Sequence, residues 1–354
     1  MGILEREIAI YRLLAQRIGG MSLVTSGGEE EMAFQEKLPG IEILYNRWGL
    51  SPNCYSLLAP ILHSHALRKA TVYKTNQLDG AWTAILAAKL YHKPVIVRAG
   101  YLWAKNFLRQ QGKGWKTNLI NRLERFSFKQ ADGIIVTTKE MKRYINGMYD
   151  IAPGKITVIP NYVDINLFRP IRSIKKIMGR VCFIGRFTSV KNLKLLIESI
   201  SPLKGVSLTL IGDGDERVFL EEMSRNLHVD VRFLGRLENQ YLPEEINQAE
   251  IFILPSKFEG HPKALIEAMA CGSAVIGTDV EGINTVIKHN VNGLLCQPNV
   301  KSVRQAVTEL LSNPQKRAVL GHNARQFVST HFDLDVVVEA ELSALKNIVN
   351  QHIK

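Results

Sequence analysis

The sequence predicts an α/β protein of two domains, each built on a parallel sheet. Three observations carry this. Short apolar, β-prone runs alternate with helical patterns in both halves, as expected of parallel strands joined by crossover helices. The 354 residues suit two domains of about 100 to 200 residues each. From Ile251 to Thr278 the chain reads as one uninterrupted strand–helix–strand unit.

The first element is a helix, EREIAIYRLLAQRI, followed by Gly19 and Gly20. SLVTS, IEILYN, ATVYKTN, KPVIVRAG and GIIVTT are short strands, with helical segments such as QLDGAWTAILAAKLY between several of them. Arg98, Gly100 and Tyr101 stand at the carboxyl end of the strand KPVIVRAG. His63 and His65 have no Cys or acid partner at ligand spacing, so they read as loop or helix histidines rather than a metal pair. ITVIPN then leads to a short basic linker, IRSIKKIMG.

The second half opens on the strand VCFI. Gly185 permits close backbone approach, and Arg186 and Lys191 stand just before the helical pattern NLKLLIESI. A guanidinium and an ammonium near a helix start suit a diphosphate, whose charge they and the helix dipole offset. Asp213 to Asp215, DGD, has the form of a metal-binding Asp-x-Asp. It directly follows the strand SLTLIG and opens a helix, so it reads as a tight turn in which Asp215 caps.

IFILPS is long and apolar enough for a buried strand, HPKALIEAMA is a helix with Pro262 in its first turn and Gly272 at its exit, and SAVIGT is the next strand. Glu259 and Gly260 thereby fall at the carboxyl end of a parallel strand, the rim where ligands bind in open α/β sheets. The helix amino terminus beside them offers free N–H groups to an anion. Glu259 stands before that helix and Glu267 two turns inside it. Alone, the two read equally well as a helix cap and an ion pair of Glu267 with Lys263; the cations of the Gly185 loop favour a ligand site.

These blocks resemble the nucleotide-binding half of retaining glycosyltransferase family 4, the group 1 glycosyltransferases of GT-B architecture. The resemblance rests on NYVDINLF with Pro170, GRFTSVKN, LIGDGDE, VRFLGR, FEGHPKALIEAMACGSAVIGT and VNGLLCQP, in that order from Asn161 to Pro298. It implies two Rossmann-like domains, an acceptor-side domain over 1–165 and a nucleotide-sugar-binding domain over 166–335. It also implies an interdomain cleft and a C-terminal helix, 336–354, that crosses back to the first domain. Arg186 and Lys191 would hold the donor diphosphate, with Gly185 beside them, Glu259 would contact the transferred sugar and Glu267 the ribose hydroxyls. The backbone of Gly260, His261, Pro262, Lys263, Ala264 and Leu265 would line phosphates and sugar. Leu234, Gly235 and Arg236, with Ile283 to Thr285, would border the base.

The chain departs from that pattern in two places. The family's first domain opens on a strand and a glycine-containing loop, whereas residue 1 here already stands at the first helix. That strand reads as missing through a start placed too late, since Arg186, Lys191, Glu259 and Glu267 are all present. Many members also carry a histidine and an acid after the strand matched by KPVIVRAG, where this chain has Arg98, Gly100 and Tyr101; by the resemblance these would face the sugar or the acceptor from the first domain.

The residue types fit sugar transfer on chemical grounds as well. Breaking the bond from sugar to diphosphate develops negative charge on the leaving phosphate and positive charge at the anomeric carbon, so cations on one side and an acid on the other lower the barrier. No carboxylate nucleophile is evident, and the resemblance implies that the donor phosphate takes the acceptor proton on the attacked face. No cofactor and no metal are expected. The rival readings are a sugar-nucleotide epimerase of the same fold, and an N-terminally truncated, inactive nucleotide-binding protein.

Composition narrows the partners. Residues 1–170 hold 23 Lys/Arg against 13 Asp/Glu, a net +10, while the remainder carries +2. The basic stretch from Lys105 to Arg143 interleaves Phe107, Trp115, Phe126 and Phe128 with cations, which suits an anionic membrane surface or a lipid-diphosphate acceptor. No nucleic-acid recognition module accompanies the charge. No run of about 18 apolar residues exists, and the start lacks the features of a signal peptide, so a cytoplasmic protein, peripheral at the membrane, is expected. Cys54, Cys182, Cys271 and Cys296 are scattered and read as buried free thiols.

Overall fold

The computed structural model describes residues 2–353, with side chains from residue 6 onward apart from 110, 111 and 353. The chain forms two compact units. One contains the residues up to Glu7 together with Asn161–Val337; the other contains Ile8–Pro160 and the residues from Val338 onward.

The first half runs α1 (Gly2–Ile18), β1 (Met21–Val24), β2 (Ile41–Leu44), α2 (Pro52–Leu62), α3 (Ser64–Lys69), β3 (Tyr73–Lys74) and α4 (Ala81–Tyr91). It continues through β4 (Val95–Ala99), α5 (Trp103–Gln111), α6 (Trp115–Gln130), β5 (Gly133–Val136), α7 (Lys139–Tyr149) and β6 (Ile156–Val158). All strand pairs are parallel, but the hydrogen bonding is split into a two-stranded sheet, β1–β2, and a four-stranded sheet, β3–β4–β5–β6. The expected single sheet is divided because β1 and β3 each pair on one side only. ATVYKTN contributes just two paired residues, Tyr73 and Lys74.

The second half runs β7 (Ile177–Ile184), α8 (Leu193–Ile200), β8 (Ser207–Ile211), α9 (Arg217–Asn226), β9 (Asp230–Gly235), α10 (Leu242–Gln248) and β10 (Ala249–Leu254). Next come α11 (Lys263–Ala270), β11 (Ala274–Thr278), β12 (Leu294–Cys296), α12 (Val300–Ser312), α13 (Pro314–His331) and α14 (Leu334–Ile353). Its six parallel strands are ordered β12–β11–β10–β7–β8–β9. The runs VCFI, IFIL and AVIG are wholly buried because helices cover both sheet faces. The strand order reverses direction between β7 and β10, which pair through Val181 with Ile251 and Cys182 with Phe252. Such a switch point opens a crevice at the carboxyl ends of the two strands.

α14 belongs, from Val338, to the unit of the first half. Its Glu341 is fully buried there, 3.3 Å from Lys74 Nζ and 3.7 Å from Arg98 Nε. Ile348 packs so closely on Gly133 that a Cβ on that glycine would lie 2.9 Å from the Ile348 Cδ1. No described helix is long and apolar enough to cross a membrane. Cys182, Cys271 and Cys296 are buried as expected, whereas Cys54 is exposed on α2. Burial pushes the Cys296 thiol up to about 12 and raises Cys182 and Cys271 further.

Candidate functional site

Backbone hydrogen bonds tie together the loops that leave the carboxyl ends of β7 to β11. Gly185 N donates to Ile211 O at 2.9 Å, Gly212 N to Gly235 O at 2.7 Å, Lys257 N to Val190 O at 2.8 Å and Glu259 N to Glu281 O at 2.9 Å. The loops carrying Gly185 to Lys191, Leu234 to Arg236, Glu259 to Leu265 and Ile283 to Thr285 therefore lie along one edge of the sheet.

The closest functional contact sits at the switch point. Lys191 Nζ donates to Glu259 Oε1 at 2.5 Å, and Ser256 Oγ donates to the same oxygen at 2.6 Å. Lys191 precedes α8 and Glu259 precedes α11, so adjacency of β7 and β10 brings cation and acid together although 68 residues separate them. Both side chains are only partly buried. Arg186, one residue beyond Gly185, is exposed and has no ion-pair partner among the described residues. A Cβ on Gly185 would stand 2.9 Å from the Phe183 ring and 3.6 Å from Lys191 Cε, so the bare backbone lets that lysine lie against the loop.

The Glu259 loop is held from below. Gly282 has φ +88, and a Cβ there would fall 2.3 Å from Glu259 O and 2.6 Å from Gly260 O. His261 is buried, with its ring edge-on to Phe332 at 4.8 Å and its carbonyl accepting from Asn161 Nδ2 at 2.7 Å. Pro262 is the N-cap of α11, with no side-chain cap, so Glu259 does not cap this helix. Gly272, at φ +70, closes it: Gly272 N reaches Met269 O at 2.9 Å and Ser273 N reaches Ala268 O at 3.1 Å, a Schellman ending.

Glu267 lies one turn inside α11 and is 2% exposed. It does not pair with Lys263. Its carboxylate is 2.5 Å from Arg6 Nε and accepts from Arg6 Nη2 at 2.5 Å, while Lys263 Nζ donates to Glu7 Oε1 at 2.5 Å. Tyr162 OH, donating to Arg6 O at 2.6 Å, fixes that stretch of α1. Burial raises the Glu267 carboxyl above the usual carboxylate range, against the opposing pull of Arg6 and Lys263. Arg6, Glu7, Ser256 and Gly282 carry no sequence motif; the fold alone brings them to Glu267, Lys263 and the Glu259 loop.

Asp213 to Asp215 form the expected turn, but Asp215 is not the cap. Gly214 N donates to Asp213 Oδ1 at 2.9 Å, and α9 starts from Glu216 without a side-chain cap. Gly214 is pressed against Phe187, where a Cβ would lie 2.3 Å from the Phe187 carbonyl. The turn thus buttresses the Arg186 loop. His63 Nε2 is 2.7 Å from Tyr55 OH and His65 Nε2 is 2.9 Å from Lys69 Nζ. Among the described residues no group of three or more His, Cys, Asp or Glu is placed to hold a metal.

At the end of β4, Arg98 is buried beside Glu341. Gly100 N donates to Gln77 Oε1 at 3.0 Å, and Tyr101 is exposed.

Comparison with known proteins gives this geometry a family. The model "Glycosyltransferase Family 4" matches residues 10–167 and "Glycosyl transferases group 1" matches residues 165–327, so the two follow one another along almost the whole chain. The N-acetyl-alpha-D-glucosaminyl L-malate synthase of Bacillus anthracis is 29% identical over 62% of this chain and 60% of its own length. The N,N'-diacetylbacillosaminyl-diphospho-undecaprenol alpha-1,3-N-acetylgalactosaminyltransferase of Campylobacter jejuni is 29% identical over 67% of each chain. The chain spans about three fifths of the length of several curated relatives. Anabaena HepE, solved with UDP-glucose, has the same fold: TM-score 0.81, 17% identity, 97% of this chain and 96% of that one. The chain belongs to the group 1 glycosyltransferases, with the parallel-sheet α/β units of the GT-B fold.

Proposed function

We propose that this chain is a retaining hexosyltransferase. It moves a sugar from a nucleoside diphosphate to a glycan or lipid-linked acceptor in the assembly of a surface polysaccharide, at the cytoplasmic face of a membrane whose anionic lipids it contacts. The observation that carries the reading is the contact of Lys191 with Glu259 at the switch point, which sets a cation and an acid within reach of one bound molecule.

In this reading Arg186 and Lys191 hold the diphosphate and offset the charge that grows on it as the bond from the anomeric carbon breaks. Glu259 faces the sugar and stabilises the positive charge left at that carbon. The acceptor hydroxyl forms the new bond on the face the diphosphate leaves, and its proton passes to the departing phosphate oxygen, so configuration is retained. Glu267 accepts from the ribose hydroxyls. The chain from Gly260 to Leu265 lines phosphate and sugar, and Leu234 to Arg236 with Ile283 to Thr285 border the base.

The UDP-glucose complex of the HepE neighbour supports a nucleotide sugar as donor. The diphospho-undecaprenol in the name of the Campylobacter relative supports a lipid-linked acceptor. Charge neutralisation is assigned to side chains, without a divalent ion; turnover that persists in chelator agrees with this, and turnover abolished by chelation contradicts it.

The test is to incubate the protein with UDP-, GDP- and other activated sugars, with and without lipid-diphosphate acceptors. Acceptor-dependent transfer with retained anomeric configuration is the expected result. An epimerised nucleotide sugar formed without acceptor, or no turnover of any donor, contradicts it.

A further inference from the structure

α2 and α4 carry apolar side chains on both faces. Tyr55, Ala59 and Pro60 of α2 and Ala81, Ile85 and Ala88 of α4 are buried. On the outer side Leu57, Leu58 and Ile61 remain 58%, 43% and 62% exposed, and Leu86 and Leu90 38% and 52%. Helical spacing sets each group on one stripe. The stripes adjoin, because Thr83 Oγ1 donates to Ser56 O at 2.8 Å and Tyr91 OH to Pro60 O at 2.6 Å. Ile61 and Leu90 line one depression with Arg68 and Tyr91. A helix that faces only water carries polar residues there, so a contiguous apolar surface marks a site of interaction.

The charge carried by the helices of this face has one sign. α2, α3 and α4 contain no Asp or Glu, while Arg68, Lys69 and Lys89 are exposed. The Arg68 guanidinium lies 5.6 Å from the Tyr91 ring centre and the Lys89 ammonium 5.8 Å from that of Phe126, which sets both cations at the border of the apolar stripes. On α6 the sole acid, Glu124, is buried, and Trp115 and Phe126 are exposed while Phe128 is not.

We infer that this face of α2 and α4, centred on Leu57, Ile61 and Leu90, docks on an anionic lipid bilayer. The apolar side chains enter the interface and the cations meet the headgroups. A second copy of this chain would set like charges against each other, whereas anionic headgroups complement them. The inference gives the proposed membrane contact its place and rests on that reading for its purpose. Binding is measured without donor or acceptor, so the two can fail separately.

Cys54 provides a reporter, since it is exposed one turn before Leu57 while the other three cysteines are buried. The full chain, labelled at Cys54 with a polarity-sensitive fluorophore, is titrated with phosphatidylglycerol–phosphatidylcholine vesicles and with phosphatidylcholine alone. Emission shifts to the blue, and the protein sediments with the anionic vesicles. The double substitution Leu57→Asp and Ile61→Asp weakens binding at least about tenfold, and Arg68→Glu with Lys89→Glu removes the preference for anionic lipid. These are surface positions, and circular dichroism confirms that the variants fold. Wild-type protein that ignores the vesicles, or binding that both double variants retain, overturns the inference. So does lipid-free self-association that the aspartates abolish, because a second copy then covers the face.

Discussion

Arg6 and Glu267 form an ion pair across 261 residues of sequence, with 2.5 Å between guanidinium and carboxylate. The acid is buried in α11 and the arginine reaches it from the start of α1. Removing one partner of such a pair leaves a buried charge unmatched, which is costly. If Glu267 is the ribose ligand, a bound nucleotide must displace Arg6 from it.

Arg6→Ala therefore lowers the melting temperature of the ligand-free protein yet tightens nucleoside diphosphate binding several-fold, since the competitor is gone. Thermal shift with and without nucleotide measures both effects, the ligand-induced increment growing with affinity. An increment equal to the wild type's removes Arg6 as a competitor.

Glu267→Ala raises the donor dissociation constant by about tenfold to a hundredfold, the worth of one or two hydrogen bonds to a charged acceptor. The turnover number changes little, because the ribose hydroxyls do not react. Donor titration followed by steady-state kinetics separates the two, and unchanged donor affinity counts against the ribose contact.

Gly282→Ala tests the support beneath Glu259. Its left-handed backbone and the Glu259 and Gly260 carbonyls within 2.6 Å of the new Cβ force that loop to move. The strain costs about 1–3 kcal/mol, and a shift of about 1 Å lowers turnover by about a hundredfold. Wild-type turnover in a variant of normal stability would show that the loop position is immaterial.

Glu124 gives the protein a pH signature. Burial raises its carboxyl above the usual range, although Tyr149 OH at 2.5 Å and Trp103 N at 2.7 Å donate to it. The folded state thus binds its proton more tightly than the unfolded state does. The resulting stability is fully present below the ordinary carboxylate value and is lost as pH rises through the raised one. The melting temperature of Glu124→Gln, relative to wild type, should increase from about pH 4 to about pH 7. A difference that stays flat over that range contradicts the raised value.

Much of the second half can be read from its sequence, because strands buried on both faces leave wholly apolar runs such as VCFI, IFIL and AVIG, and Gly272 marks a helix end. The loops of Lys191 and Glu259 were recognisable one at a time. Their contact was not, since it depends on β10 lying beside β7, a consequence of the whole sheet's packing. Spacing alone suggested that Lys263 pairs with Glu267, yet Glu7 and Arg6 take those partners from the far end of the chain. Nothing in EREIAIY distinguishes it from any other amphipathic helix start. In the first half the strands were visible as runs, but the division of their hydrogen bonding into two sheets was not, because a strand's residues do not say which of its edges is paired.

The most direct test of the account is the turnover of Glu259→Ala with the donor and acceptor that the screen identifies, beside its donor affinity. Loss of one charge-stabilising contact predicts a turnover number about a hundredfold to a thousandfold lower, with donor binding close to wild type and the fold intact. Turnover equal to the wild type's would contradict the central role given to the Lys191–Glu259 site.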